Sequence, residues 1–170
     1  AALLTHLLER DVPLLCVCFG HQLLGVALGA DVGPNPRGRE MGTIDVELRD
    51  DVDARADPLL GHMPRRFHAQ CTHRDVIRKA SAHLSVRGTS SHDPHHVVRA
   101  ARRAWGLQFH PEFDDVIIRL YLEERRDVLE RELGADAFER RMANVKQTPE
   151  AASILATFAR LCRDERDARG

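Results

Sequence analysis

A short apolar segment that ends abruptly in a cysteine places the strongest constraint on the fold. Residues 13–17 are apolar throughout, which predicts a strand buried on both faces, since the run is too short for a buried helix. A sharp turn with Cys18 and Gly20 follows, and residues 22–28 form a compact helix-forming run that ends at Gly29. A strand, a sharp turn with a nucleophilic side chain and a helix together make a nucleophile elbow. The segment therefore predicts an α/β fold with Cys18 at the tip of a buried strand.

The predicted position of Cys18 favours a reactive sulfur. A helix N-terminus carries a partial positive charge and unpaired N–H groups, and both favour thiolate over thiol. The backbone N–H of Phe19 is expected to point where the oxyanion of a tetrahedral intermediate would form. Cys16 belongs to the same strand but is expected to be enclosed by the layers of the sheet, so Cys18 is the candidate nucleophile.

A second segment, residues 104–112, supplies the partners that a thiolate nucleophile needs. Such a nucleophile requires a base and a group that orients the base. In an extended segment, residues two positions apart face the same side, so His110 and Glu112 can point at one site. Because only Glu112 has this relation to His110, it is preferred to Asp114 and Asp115 as the orienting acid.

The two segments together resemble a known family. Residues 18–22 (Cys-Phe-Gly-His-Gln) and residues 108–112 (Gln-Phe-His-Pro-Glu) closely resemble the motifs of the class I glutamine amidotransferases. Chain length and helix spacing are similar to those of free-standing proteins related to the amidotransferase domain of GMP synthase. The resemblance implies a triad of Cys18, His110 and Glu112. Such a triad hydrolyses the side-chain amide of glutamine through a γ-glutamyl thioester and releases ammonia.

The resemblance also implies substrate-binding residues. Gln22, on the first turn of the elbow helix, would contact the bound glutamine. Residues 71–75 resemble a loop in which a His-x-Asp element contacts the same substrate, and this points to His73 and Asp75. An alternative stays equally open, in which these two residues only close a turn between short strands.

Two rival functions also stay open. An enzyme with the same triad could act on γ-glutamyl peptides, because attack at a γ-glutamyl carbonyl is common to both reactions. The chain could instead be a non-catalytic or regulatory amidotransferase-like subunit. In the resembling proteins, several tens of residues before the elbow supply the first strands and a glycine-containing loop with a second oxyanion N–H. Nothing before Cys18 resembles that loop, so we expect the domain to be N-terminally incomplete.

Composition and charge limit the partners and the location. At 170 residues, with 43% hydrophobic and 30% charged residues, the chain suits one globular domain. A formal net charge of −1 gives no electrostatic reason to bind nucleic acid or an anionic membrane. The four cysteines form no disulfide-framework pattern, and a nucleophilic cysteine needs a reducing compartment, so a cytoplasmic location is expected.

No cofactor or metal is predicted. The sequence has no glycine-rich phosphate loop and no nucleotide fingerprint, so any ammonia would pass to water or to a separate ammonia-accepting synthetase. Residues 91–96 contain three histidines and an aspartate, which is compatible with zinc. However, Asp93 and Pro94 are a turn signal, and sequence spacing reveals no partner ligands elsewhere, so a turn is preferred.

The pattern along the chain predicts a three-layer α/β fold. The resemblance implies a single amidotransferase-like domain, residues 1–170, of flavodoxin-like architecture and without its N-terminal strands. Its catalytic part spans residues 1–113, with a mostly parallel central sheet and an antiparallel excursion around residues 43–100. Residues 29–40 are expected to form a loop. Apolar stripes among charged residues predict helices in the C-terminal part, residues 114–170.

Overall fold

The computed structural model describes residues 2–50 and 56–167. Within these ranges the chain begins with helix, strand and helix, continues with seven strands, and ends with helices. The elements in chain order are α1 (Ala2–Glu9), β1 (Leu14–Val17), α2 (Phe19–Ala27), β2 (Asp31–Pro34), β3 (Glu40–Leu48), β4 (Arg66–His73), β5 (Asp75–Lys79), β6 (Ser85–Thr89), β7 (Val97–Ala101), β8 (Ala104–Leu107), α3 (Asp115–Glu124), α4 (Arg126–Leu133), α5 (Ala137–Ala143) and α6 (Pro149–Asp167).

Six of the strands form the main sheet, in the order β1-β8-β7-β6-β3-β4. β1 and β8 run parallel, whereas the other neighbouring pairs are antiparallel. The predicted α/β fold is confirmed, and its sheet is mixed rather than mostly parallel. The reason is connectivity, because β6, β7 and β8 follow one another through short connections, and parallel neighbours would need long crossovers.

A second, two-stranded sheet lies in the region where composition predicts a loop. Asp31–Pro34 form β2, which pairs antiparallel with β5, so the loop predicted over residues 29–40 is wrong for its central part. The sequence of β2 does not alternate apolar and polar residues, so nothing local indicates a strand. Pairing with a distant segment stabilises it, and an ion pair between Asp31 and Arg78 links the two strands.

Helices cover both faces of the main sheet. In β8, Trp105 and Leu107 belong to a core that includes Ile154 of α6. Gly106 points to the opposite face, because neighbouring residues of a strand alternate between faces. There α2 packs so closely that a Cβ atom at Gly106 would come within 2.6 Å of the Nδ1 of His21. The missing side chain of Gly106 thus lets α2 lie directly against the strand.

The C-terminal part is helical, as its apolar stripes predict. Two helices precede Gly134, because Arg125 ends α3 and precedes the first residue of α4. These two helices and α5 enclose a second core around Met41, near the start of β3. α6 begins at Pro149, whose fixed φ suits the first position of a helix. No helix within residues 2–50 and 56–167 is long and apolar enough to cross a membrane.

Candidate active site

Cys18 lies at the junction of β1 and α2. Its backbone adopts φ 48° and ψ −103°, and residues other than glycine rarely have a positive φ. Its N–H donates to the carbonyl oxygen of Leu107 (2.7 Å), and its own carbonyl oxygen accepts from the N–H of Gln22 (3.1 Å). The backbone is therefore fixed on both sides of a strained residue, which is the geometry of a nucleophile elbow.

The parallel pairing of β1 with β8 brings the two sequence motifs together. Val17, the last residue of β1, lies opposite Leu107, the last residue of β8. Since both strands run in the same direction, the residues that follow them emerge at the same edge of the sheet. Cys18 and residues 108–112 consequently meet at this edge, although they are far apart in the chain.

Three contacts hold His110. Its N–H donates to the carbonyl oxygen of Gln70 (2.8 Å), and the Nδ1–H of its ring donates to the Oε1 of Glu112 (2.7 Å). The ring of Phe113 stacks on the imidazole, with 4.2 Å between the ring centroids. The structure thus brings the predicted base and orienting acid together. The segment after Leu107 contains bends and a turn, however, and is not the extended segment from which their pairing is predicted.

The charge state of the imidazole follows from its neighbours. Burial alone would lower the pKa of His110, but the adjacent Cys18 and Glu112 raise that pKa to about 9. Burial also opposes ionisation of Glu112, yet its hydrogen bond from His110 outweighs this and lowers the pKa of the carboxyl. The Nε2 of His110, on the far side of the ring, is buried and has no hydrogen-bond partner among the described residues. The ring is therefore protonated at neutral pH, and Nε2 is the atom left for proton transfer.

Burial distinguishes the four cysteines. Cys16 is buried, as predicted, and burial raises the pKa of its thiol. Cys71 is completely enclosed, and burial followed by the nearby carboxylate of Glu40 raises the pKa of its thiol well above the ordinary value. Cys18 and Cys162 are half-buried. Since Cys18 also lies beside an imidazolium, it has the surroundings that a nucleophilic thiolate requires.

Two glutamine side chains lie beside the candidate nucleophile. The Nε2 of Gln108 donates to the Sγ of Cys18 at 3.6 Å. The Nε2 of Gln22 donates to the Oε1 of Gln108 (3.3 Å) and to the main-chain carbonyl oxygen of Asp75 (2.9 Å). The structure therefore places Gln22 and Asp75 at the site. Gln108 is absent from the sequence prediction, although it precedes His110 by two positions, the same spacing that pairs His110 with Glu112.

His73 contacts Asp75 from the interior of the protein. Its side chain is 1% exposed, its Nε2 faces the Oε2 of Glu40 (3.0 Å), and its Nδ1 faces the carbonyl oxygen of Asp75 (3.2 Å). Both ring nitrogens thus face protein groups, and the contact of His73 with substrate stays a prediction. β4 ends at His73 and β5 begins at Asp75, which is the turn between strands that the alternative prediction describes. Asp75 is exposed, and its contact with substrate stays a prediction.

A buried polar cluster extends inward from His73. The Oε2 of Glu40 faces the Nε2 atoms of His73 (3.0 Å) and His96 (3.1 Å). Burial opposes ionisation of Glu40, but hydrogen bonds from the two rings lower its pKa. Ligand atoms of His73, Asp93 and His96 lie within 4.8 Å of one another, as do those of Glu40, Cys71 and His73. These residue types suit zinc, and only folding brings them together, but a metal would have to replace hydrogen bonds that Glu40 already makes.

Comparison with known proteins agrees with this geometry. The model of the family described as glutamine amidotransferase class-I matches residues 1–116, which include both motifs. The glutamine-hydrolysing GMP synthase of Thermosipho africanus is 30% identical over 125 residues, which are 70% of this chain and 23% of that protein. One subunit of the glutamine-hydrolysing GMP synthase of Pyrococcus furiosus is 28% identical over 111 residues, which are 65% of this chain and 56% of that subunit. The chain thus spans a minor part of the first relative and little more than half of the second.

A solved structure shows the same fold. A glutamine amidotransferase from Thermotoga maritima matches with a TM-score of 0.68 and 23% identity, over 95% of this chain and 66% of that chain. At this identity the likeness establishes the fold alone. The family model covers more than half of the chain and includes the cysteine elbow and the histidine–glutamate segment. The chain therefore belongs to the class-I glutamine amidotransferase family.

Proposed function

We propose that the chain hydrolyses the side-chain amide of glutamine through a triad of Cys18, His110 and Glu112. One observation carries the proposal: Cys18 lies on a strained elbow beside an imidazole whose pKa it raises, and that imidazole donates to Glu112. A nucleophile, a base and an orienting acid in this relation are the requirements of acyl transfer through a thioester. Family membership makes the amide of glutamine the first candidate substrate.

In the proposed reaction, the thiolate of Cys18 attacks the carboxamide carbon and forms a C–S bond. The N–H of Phe19, in the first turn of α2, holds the oxyanion of the tetrahedral intermediate. His110 then gives its Nε2 proton to the nitrogen as the C–N bond breaks, and ammonia leaves. Water, deprotonated by His110, attacks the γ-glutamyl thioester, which releases glutamate and restores the thiolate. Glu112 orients the imidazole in both halves.

We infer that Gln22 and Asp75 contact the bound glutamine. Gln22 is linked to Cys18 through Gln108, and its Nε2 also donates to the carbonyl oxygen of Asp75. The carboxylate of Asp75 belongs to an exposed residue, so it is accessible to the α-ammonium group of a substrate. In this proposal His73 acts only through the carbonyl oxygen that it supports.

We propose that the ammonia passes to water or to a separate synthetase. The relative from Pyrococcus furiosus is named as one subunit of a glutamine-hydrolysing GMP synthase, which favours a partner of that kind. In this proposal residues 1–113 form the catalytic part of one domain, and the helices of residues 114–170 complete its cores. A reducing compartment such as the cytoplasm is inferred because the nucleophilic thiol must stay reduced.

Ammonia release and covalent labelling test the proposed function together. The protein should release ammonia from glutamine, and a chloroketone analogue of glutamine should label Cys18, located by mass spectrometry. Cys18→Ala should abolish both, and Cys162→Ala, at the other half-buried thiol, is the matched control that should change neither. Labelling of Cys71 with Cys18 unmodified would contradict the assignment. Turnover of γ-glutamyl peptides without turnover of glutamine would instead identify a γ-glutamyl hydrolase with the same triad.

A further inference from the structure

The side chain of Gln108 is completely buried, and both ends of its amide face polar groups of the protein. Its Nε2 is 3.6 Å from the Sγ of Cys18, and its Oε1 accepts from the Nε2 of Gln22 at 3.3 Å. An amide in such surroundings is stable only in the orientation that satisfies both ends. If the amide of Gln108 were reversed, its carbonyl oxygen would face the sulfur of Cys18, and its NH₂ group would face the NH₂ group of Gln22.

The orientation of Gln22 is in turn fixed from inside the protein. The carbonyl oxygen of Asp75 can only accept, and it faces both the Nε2 of Gln22 and the Nδ1 of His73. The other nitrogen of His73 faces the Oε2 of Glu40, which is ionised because its hydrogen bonds lower its pKa. The carbonyl oxygen of Asp75 therefore determines which end of Gln22 points forward, and Gln22 determines which end of Gln108 does. His73 and Glu40 hold this carbonyl group in place.

We propose that Gln108 donates a hydrogen bond to the sulfur of Cys18 during catalysis, and that Glu40, through His73, holds in place the carbonyl group of Asp75 that orients Gln22 and Gln108. The inference rests on the proposed function of Cys18 as the nucleophile. Gln108 touches a reacting atom, whereas Glu40 is a positioning residue that acts through the series of hydrogen bonds. Because hydrogen bonds to ionised groups are stronger than neutral ones, the contact holds the thiolate in one position before attack.

Variants of Gln108 test the hydrogen bond directly. Gln108→Glu keeps the shape of the side chain but has no N–H donor at neutral pH, and Gln108→Leu removes both ends of the amide. Each should lower kcat for glutamine about ten- to hundred-fold, the loss expected for a hydrogen bond to an ionised group, with a much smaller change in KM. The pH midpoint for alkylation of Cys18 by iodoacetamide should rise by about one to two pH units in both variants.

Thr157→Val is the matched control for the loss of a buried polar group. Thr157 is buried on α6, outside the site, and its side chain contacts His62 and accepts from Arg160. The substitution should lower the melting temperature, as Gln108→Leu does, while the alkylation midpoint of Cys18 stays at the wild-type value. An equal rise of that midpoint in Thr157→Val would mean that general loosening explains the effect, and this would overturn the proposal.

A double-mutant cycle tests the positioning role of Glu40. Glu40→Gln keeps the size of the side chain and removes its charge, so it should raise the alkylation midpoint of Cys18 by less than Gln108→Leu does. In Glu40→Gln/Gln108→Leu the midpoint should equal that of Gln108→Leu, because Glu40 can act only through the missing amide. Two shifts that add in the double variant would overturn the relay.

The readouts separate this inference from the proposed function. Iodoacetamide does not need a glutamine site, so alkylation of Cys18 reports on the sulfur alone. A wild-type protein that is alkylated at Cys18 but does not turn over glutamine would overturn the proposed function. An active wild-type protein, together with unchanged kcat and alkylation midpoint in both Gln108 variants, would overturn this inference alone.

Discussion

At the scale of single residues, His110 determines the pH range over which the site is stable. Its pKa in the folded chain is about 9, above the ordinary value of 6.5, so folding favours the protonated ring. This contribution to stability is present in full below pH 6.5 and is lost as the pH rises through about 9. The difference in free energy of unfolding between wild type and His110→Gln should therefore shrink between pH 6.5 and 9. Urea unfolding at a series of pH values measures it.

The same comparison, with and without His110→Gln, in a protein that carries Cys18→Ala is the control for this pH dependence. Cys18 is one of the two groups that raise the pKa of His110, so the substitution Cys18→Ala should bring that pKa closer to 6.5. The difference in free energy of unfolding that is due to His110 should then shrink over a narrower pH range. A difference between wild type and His110→Gln that stays constant from pH 6.5 to 9 would contradict the assigned proton.

The two partners of Cys18 should differ in how strongly they affect turnover. In the proposed reaction His110 transfers protons, whereas Glu112 orients the ring through the 2.7 Å hydrogen bond. Glu112→Gln should therefore retain roughly ten- to hundred-fold more kcat than His110→Ala, as orienting acids do in comparable triads. Steady-state assays of both variants measure this difference. Activity of His110→Ala close to that of wild type would contradict the proposed chemistry.

Candidate site residues could be predicted from the sequence where they lie within a short motif. Residues that meet only in the folded chain could not. Cys18, His110 and Glu112 carry local signals: the end of a strand for the first, and a spacing of two for the others. The network of Glu40 and His96 has no such signal, because strand pairing alone brings these side chains together. His73 shows a different case, in which a motif suggests a substrate contact but both ring nitrogens of the buried side chain face protein groups.

At the scale of elements, the close contact between α2 and β8 depends on Gly106. A Cβ atom there would lie 2.6 Å from the Nδ1 of His21 and 2.9 Å from Val98. Gly106→Ala should therefore destabilise the fold by about 1–3 kcal/mol, the range for overpacking a core. Gly20→Ala is the matched control, since among the described residues outside its own helix the nearest atom to its Cβ would be the Cβ of Cys16, at an ordinary contact distance of 3.6 Å. Thermal unfolding compares the two, and equal melting temperatures would contradict this account of the contact.

Some of the elements can be predicted from local periodicity in the sequence. β3 and β4 alternate apolar and polar residues, and the C-terminal helices carry apolar stripes, so both follow from local periodicity. β2 has neither pattern, and its partner β5 determines it. The direction of the main strands also depends on connections, because an apolar strand looks the same in a parallel or antiparallel pair.

At the scale of the whole molecule, α6 completes the core on one face of the sheet. Ile154 is fully buried in that core, whereas the adjacent Leu155 is 38% exposed. Ile154→Ala should lower the free energy of unfolding by about 2–5 kcal/mol, and Leu155→Ala by much less. Urea denaturation of both variants tests whether residues 114–170 belong to the same cooperative unit as the catalytic part. Equal effects would contradict the placement of α6.

The parallel pair of β1 and β8 also sets the order in which activity can arise during synthesis. Leu14 pairs with Ala104, so a loop of about ninety residues must close before the two motifs meet. A growing polypeptide that already contains Cys18 still lacks His110 and Gln108. Without a neighbouring cation a cysteine is a poor nucleophile at neutral pH. If the proposed function holds, the hydrolytic centre therefore forms only after translation has passed Glu112, and we expect the thiol of unfinished chains to react slowly.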